Sequence, residues 1–409
     1  MMNEQKVPQL RFSGFEDEWE EKIFQDLFER RMERNNGQFG YDRWISVAKM
    51  YFQEPEKVTS NNIDTRTYVM RKSDIAFEGH SNKEFKLGRF VENDIGDGVI
   101  SELFPIYKHK DEYNLSYWKY AIQNENIMFP KLTKCIEVSY TSSNKLDENF
   151  FLNEKILVPI VREQQKIGFF LSQIDTLIQT KTQKLESLKS VKKSLLQKCF
   201  PKAGEKVPEM RFAEFSGDWE EKKLGEIAEK FDYGLNAAAT DFDGKNKYLR
   251  ITDIDDENRY FKYDDVSSPD CILSESENYL LKENDIVFAR TGASVGKSYI
   301  YNKQDGIVYF AGFLIRAHIK QEYDSLFIFQ NTLTESYNKY IQLTSQRSGQ
   351  PGVNAEEYKE YSVMCPSSLD EQQKIGQFFS KYDSLISAQQ KEIDKLKDIK
   401  KSLLQKMFV

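Results

Sequence analysis

Cysteine and histidine are scarce in this chain. Four cysteines (Cys135, Cys199, Cys271 and Cys365) are scattered through 409 residues without a C-x-x-C pair. Four scattered cysteines with no metal-ligand spacing describe free thiols in a reducing cytoplasm, not a disulfide framework or a zinc site. The three histidines, His80, His109 and His318, are far apart and suggest no metal site. Long hydrophobic runs are also missing. No stretch approaches the roughly 18 apolar residues of a membrane span, and the opening MMNEQKVPQLRF has no apolar signal core. The expectation is a cytoplasmic protein with no membrane partner. Positive charge is not in excess either, the formal net charge being −7. That counts against an indiscriminate grip on nucleic acid, which rests on lysine and arginine neutralising phosphates. It leaves room for a DNA reader whose basic groups are local, or one that binds together with partners.

Catalytic signatures are absent in the same way. The stretch ARTGASVGKSYIY at 289–301 follows an apolar run and ends in GKS, inviting comparison with a phosphate-binding loop. Such a loop needs G-x-x-x-x-G-K-[ST] opening a helix, so that backbone N–H groups curl around the phosphates. Here Gly292 and Gly296 are separated by three residues, Thr291 stands where the first glycine belongs, and SYIYN alternates like a strand. A nuclease pattern drawn from Pro269-Asp270 and Glu357-Tyr358-Lys359 spans almost ninety residues, a spacing that chance supplies in a chain with 30% charged residues. There is no glycine-rich cofactor loop opening a helix and no Asn/Asp-Pro-Pro-aromatic run of a methyltransferase. The chain reads as non-catalytic, with no cofactor and no metal of its own.

What is present is a sequence written twice. VPQLRFSGFEDEWEEK at 7–22 returns as VPEMRFAEFSGDWEEK at 207–222, an offset of 200. EQQKIGFFLSQIDTLI at 163–178 returns as EQQKIGQFFSKYDSLI at 371–386, an offset of 208, and KKSLLQKCF at 192–200 as KKSLLQKMF at 400–408. The ends are shared and the middles differ. Because the chain starts where a further repeat would start, the arrangement is cyclic.

The repeated terminal segments carry apolar stripes at three- and four-residue steps. They are Ile167, Leu171, Ile174, Ile178, Leu185, Leu188 and Leu195 in one, and Ile375, Phe379, Tyr382, Ile386, Ile393, Leu396 and Leu403 in the other. A narrow stripe on a helix of about 35 residues, some 50 Å long, calls for a partner helix. Two near-identical helices meeting through the same face imply a two-fold contact and an antiparallel pair. The variable middles mix short β-branched runs with Gly, Asn and Asp turns. The expected fold is therefore α+β: two mixed α/β domains in a pseudo-two-fold arrangement, separated by two long helices packed as an antiparallel coiled coil. The predicted segments are 1–161, a first variable domain; 162–200, a helix; 201–366, a second variable domain; and 367–409, a second helix.

As a strand-to-strand tip, the 289–301 stretch would project Arg290, Thr291, Ser294 and Lys297 from a loop loosened by Gly292. Arginine can read guanine with two bonds, while hydroxyls and lysine hold phosphates. The polar loop TSQRSGQPGVN adds Gln346, Arg347 and Gln350. Arg250 and Thr252 lie in KYLRITDIDDEN, a segment loosely matched in the first half by YDRWISVAKMYF, which contributes Lys49. Where the second half has ARTG the first has EGHSN, so His80, Ser81, Asn82 and Lys83 are its candidates.

The tryptophan-bearing openings FEDEWEE and FSGDWEE, the EQQKIG helix starts and ARTGASVG together resemble the DNA specificity subunit of type I restriction–modification systems. That resemblance covers the whole chain, with EGHSN as its departure in the first domain. It implies that each variable region is a target recognition domain reading half of a bipartite, asymmetric double-stranded DNA site. It also implies that the helices are a ruler for the spacer and dock two methyltransferase (modification) subunits, and that motor-nuclease (restriction) subunits complete the enzyme. S-adenosylmethionine, ATP and Mg²⁺ would belong to those partners. Two rival classes remain, a nuclease or fused modification enzyme and a non-catalytic coiled-coil scaffold. The missing motifs weigh against the first, and the differing middles are unexplained by the second.

Overall fold

A computed structural model describes residues 6–59, 62–137 and 143–409. The chain divides into two compact units, and the division does not follow the four predicted segments. One unit comprises Met1–Thr180 with Ile393–Val409; the other is Lys181–Glu392. Both boundaries fall inside the long helices, which run from Val161 to Cys199 and from Leu369 to Lys406. Each unit thus owns a variable domain, the first half of the helix that follows it, and the second half of the other helix.

In the first unit, strand Glu20–Ile23 pairs antiparallel with Lys155–Val158, bringing the start and end of the variable segment together. The central sheet has the order Phe28–Arg31, Ile106–His109, Ile75–Glu78, Arg89–Glu92. Ile75–Glu78 is buried at every residue, which is why IAFE reads as a continuous run instead of alternating. Helices Leu115–Ala121 and Glu125–Cys135 start at asparagine caps, Asn114 and Asn124, whose side chains accept the orphan N–H groups of Tyr117 and Asn126. Phe24, Phe90 and Phe151 stack at 4.5 Å centroid spacings at the heart of the core.

The second unit repeats this plan. Glu220–Lys223 pairs with Ser362–Cys365. Its central sheet has the order Ala228–Tyr233, Leu314–Ile319, Asp285–Ala289, Ser298–Ile300, the same topology as in the first unit. Helices Ser325–Asn331 and Glu335–Thr344 are capped by Asp324 and Thr334. The stretch SLFIFQNTLTESYNKYIQL forms two helices, and the hydroxyls of Thr332 and Thr334 bond back to backbone carbonyls where the first ends.

Within each unit the two helix segments run antiparallel. In the second, Lys181 pairs with Glu392 and Lys192 with Asp383, one number rising as the other falls; in the first, Lys400 pairs with Asp175. The cyclic reading has a direct structural counterpart. Trp219 packs edge-on against Phe200, which closes the helix Val161–Cys199, whereas Trp19 packs edge-on against Phe408, near the chain's last residue. The same exchange appears in the backbone. Met210 N donates to Lys198 O, and Leu10 N donates to Lys406 O.

Not all of the predicted stripe faces another helix. Ile167, Leu171 and Ile174 join the first unit's core, where Leu403 also packs. Ile375, Phe379 and Leu195 join that of the second. Leu185, Ile386 and Ile393 are buried too, while Ile178, Leu188, Tyr382 and Leu396 are half-buried. The glycine at each helix start is what lets the helix approach its domain. A Cβ on Gly168 would lie 2.6 Å from Tyr117 N, and one on Gly376 would lie 2.4 Å from Asp324 Oδ1.

Candidate nucleic-acid interface

The loop after the second core strand of the second unit, 290–297, is held by a second loop more than fifty residues away. Val353 N donates to Arg290 O, Gly292 N donates to Pro351 O, and Thr291 forms a bridge with Gly352. Two stretches singled out separately in sequence, ARTGASVGK and SQRSGQPG, are therefore one surface. Gly292 is required there: its φ is +72°, and a Cβ would meet the Gln350 amide nitrogen at 2.8 Å.

The cations in this surface differ in how they are held. Arg290 lies with its guanidinium 5.1 Å from the ring centroid of Tyr233, and among the described residues it makes no ion pair. Arg347 grips Glu357 with one amino group and caps the carbonyls of Thr344 and Gln346 with the other. Lys297 is ion-paired with Asp256, and its proximity holds that carboxyl below the usual range. Arg250 makes a two-bond pair with the buried Asp253, whose carboxylate also accepts from the Thr252 hydroxyl. Gln346 and Gln350 are exposed. Ser294 is half-buried and its carbonyl accepts from Lys297 N, closing a turn. Thr291, Arg290, Lys297 and the 346–352 loop are thus brought together. Arg250 and Thr252 are engaged in a separate turn beside strand Asn246–Leu249.

The first unit has the same joint with different side chains. Asn144 N donates to Gly79 O, the counterpart of the Val353–Arg290 bond. Gly79 has no room for a Cβ, since Asn144 O would lie 2.1 Å away. His80 is exposed and bonds through its backbone N–H and ring Nδ1 to the buried Glu78 carboxylate, which also faces Arg89 at 3.7 Å. Asn82 is spent on the turn, its side chain accepting from Glu84 N and Phe85 N, while Ser81 and Lys83 are exposed. Lys49 is exposed in a separate turn whose carbonyl of Ser46 it caps through its N–H. Sequence inspection missed Tyr233, Asp256, the Asn144 joint and the pairing of Glu357 with Arg347. Only the glycine and proline cluster at 349–352 signalled a tight approach of two backbones.

The remaining titratable groups have structural partners. His318 Nδ1 bonds Asp285 at 2.6 Å, and burial holds His109, stacked on Tyr113, down to about 3. Among the described residues no group of three or more His, Cys, Asp or Glu side chains is placed to hold a metal ion, and no helix is long and apolar enough to cross a membrane.

Two domains of one topology, each displaying a polar, glycine-jointed loop pair and each fastened to long antiparallel helices, define a repeated two-domain architecture. Comparison with known proteins gives the family. Residues 95–190 and 216–398 match the type I restriction modification DNA specificity domain, and the chain belongs to that family. It is a specificity subunit, the non-catalytic component of such systems. It is 23% identical over 379 residues to the type I restriction enzyme MjaVIII specificity subunit of Methanocaldococcus jannaschii, covering 89% of this chain and 84% of that protein. The fold is similar to the crystal structure of a type I restriction–modification S subunit from M. genitalium, with a TM-score of 0.62 at 16% identity over 98% of this chain and 99% of the other. A chain from a structural study of complex assembly and conformational transition in a type I system is similar at a TM-score of 0.52 and 14% identity, covering 95% of this chain and 97% of that one.

Proposed function

We propose that each variable domain reads one half of a bipartite, asymmetric double-stranded DNA site, and that the helices set the spacer between the halves. The observation that carries this reading is the shared joint with unshared side chains. The bonds Val353 N–Arg290 O and Asn144 N–Gly79 O are equivalent, yet one presents Arg290 and Thr291 and the other His80 and Ser81. A common frame with different tips is what two different half-sites require. Arg290, which makes no ion pair among the described residues and is backed by the flat face of Tyr233, is the residue assigned to a base edge, with Gln350 against the nearby Gly292. Lys297, Ser294 and Arg347 suit phosphates.

The helices are also the proposed docking face for two methyltransferase subunits. Leu177 and Ile399 are exposed apolar residues at the same level of the first unit's helix pair, and Val191 and Leu385 are their counterparts in the second. A matched patch in each unit suits two copies of one partner. S-adenosylmethionine, ATP and Mg²⁺ would be held by those subunits and by a restriction subunit, in the cytoplasm.

Single-molecule methylation sequencing of cells carrying this chain with its modification partner tests the reading. One asymmetric motif with a fixed gap is the expected outcome. Absence of methylation from a stable complex would favour a scaffold instead. Arg290→Ala should relax one half-site only, at a cost of about 1–3 kcal/mol in binding. Adding or deleting a helical turn should change the gap and leave both half-sites as they are.

A further inference from the structure

The tip of the turn at 255–260 carries three consecutive acids, and each has a different employment. Asp255 builds the turn: its carboxylate accepts from Glu257 N and Asn258 N, and its own N–H donates to Tyr260 O. Arg259, with φ at +61°, completes the reversal, and Ile254 bridges Phe261 below it. The two outward acids then hold two cations from different places. Glu257 pairs with Lys189 of the helix Val161–Cys199, and Asp256 pairs with Lys297 of the recognition loop. The Lys297 side chain is 14% exposed and that of Asp256 is 73% exposed, so the lysine is pinned and the carboxylate is the movable partner.

We propose that Asp256 is a clasp on the recognition loop, occupying the place of a DNA phosphate on Lys297 and giving it up only when a matching half-site brings a phosphate into that position. The inference rests on the reading of loop 290–297 as a DNA contact. Its physical basis is a competition between two anions for one ammonium. An exposed carboxylate pair contributes little to stability, so a well-placed phosphate with its several acceptor oxygens displaces it readily. Where the DNA sits in a non-matching register, the phosphate fails to reach Lys297 and meets the Asp256 carboxylate instead, with Asp255 and Glu257 beside it. Like charges are then opposed, and discrimination arises from what is repelled as well as from what is bound. Asp256 is ionised at neutral pH in any case, and the hydrogen bond from Lys297 lowers its pKa further.

The test measures fluorescence anisotropy of two duplexes of equal length against the full chain in complex with its modification partner. One duplex carries the mapped methylation motif and the other a scrambled sequence. Asp256→Asn should tighten binding of the scrambled duplex by about 3- to 10-fold and that of the matched duplex by less, lowering the ratio between them. Lys297→Ala should weaken the matched duplex and reduce the slope of log affinity against log salt by about one. If Asp256→Asn leaves the ratio unchanged or raises it while Lys297→Ala weakens binding, the clasp is wrong and the DNA-contacting loop stands. If Lys297→Ala changes neither duplex, the loop reading itself fails. Asp256→Ser provides the same comparison with a smaller side chain should the asparagine variant unfold.

Discussion

The two units share a skeleton of paired residues and differ in what their cores tolerate. Arg11 bonds Glu163 through two nitrogens at 2.7 and 2.8 Å, and Arg211 bonds Glu371 at the same two distances. Gln164 accepts from Asn114 N as Gln372 accepts from Asp324 N. Asp175 receives the Tyr120 hydroxyl and Lys400, whereas Asp383 receives the Gln330 amide and Lys192. Against that identity, the first unit buries Glu92 with neither carboxylate oxygen hydrogen-bonded, at the strand end where the second has Ile300. The lesson is that the repeat preserves the residues fastening each domain to its helices and frees the rest, the loops most of all.

The largest effects should come from breaking the shared fastening. Glu371 is 1% exposed, so Glu371→Ala leaves Arg211 with only the carbonyls of Ser216 and Gly217 and no carboxylate, and should cost about 3–5 kcal/mol. Glu163→Ala should cost the first unit a similar amount, and thermal unfolding of both variants checks whether the two fastenings are equivalent. Next in size is the glycine contact. Gly376→Ala drives a Cβ against Asp324 and Leu326, with an expected loss of about 1–3 kcal/mol, matched by Gly168→Ala against Tyr117 and Asn114. Unequal losses in denaturant titrations would break the comparison.

The smallest expected effect isolates a difference. Burial pushes the Glu92 carboxyl up to about 9, with Asp94 adding to the shift. A carboxyl with a raised folded pKa holds its proton in the native state while the unfolded chain releases it. Its stabilising share is full below about pH 4.5 and declines as pH rises towards 9. Glu92→Gln should flatten that decline, gaining stability at pH 8 and changing little at pH 4. Stability measured at several pH values checks it.

Much of the skeleton was legible in the sequence because it is printed twice. Trp19 and Trp219, EQQKIG and KKSLLQK stand at matching offsets, and the three- and four-residue steps give helices without further information. The family followed from the same segments. The candidate interface was legible only in part. Arg290 and Gln350 stood out as polar groups in glycine-rich loops, but nothing in their spacing says that the two loops are bonded. Lys297, Arg347 and Arg250 looked alike as available cations, and each proves to be ion-paired with a carboxylate.

Local order along the chain determined the repeat, the long helices, the strand-rich middles and the absence of catalytic motifs, because periodicity and spacing depend only on neighbours. Tertiary structure decided what sequence distance conceals. It gave each unit half of each helix, put Phe408 against Trp19 as Phe200 lies against Trp219, and joined Arg290 to Val353. The physical reason is that burial and charge pairing act between groups close in space, and an acid such as Asp256 acquires its meaning only from the lysine that folding brings beside it.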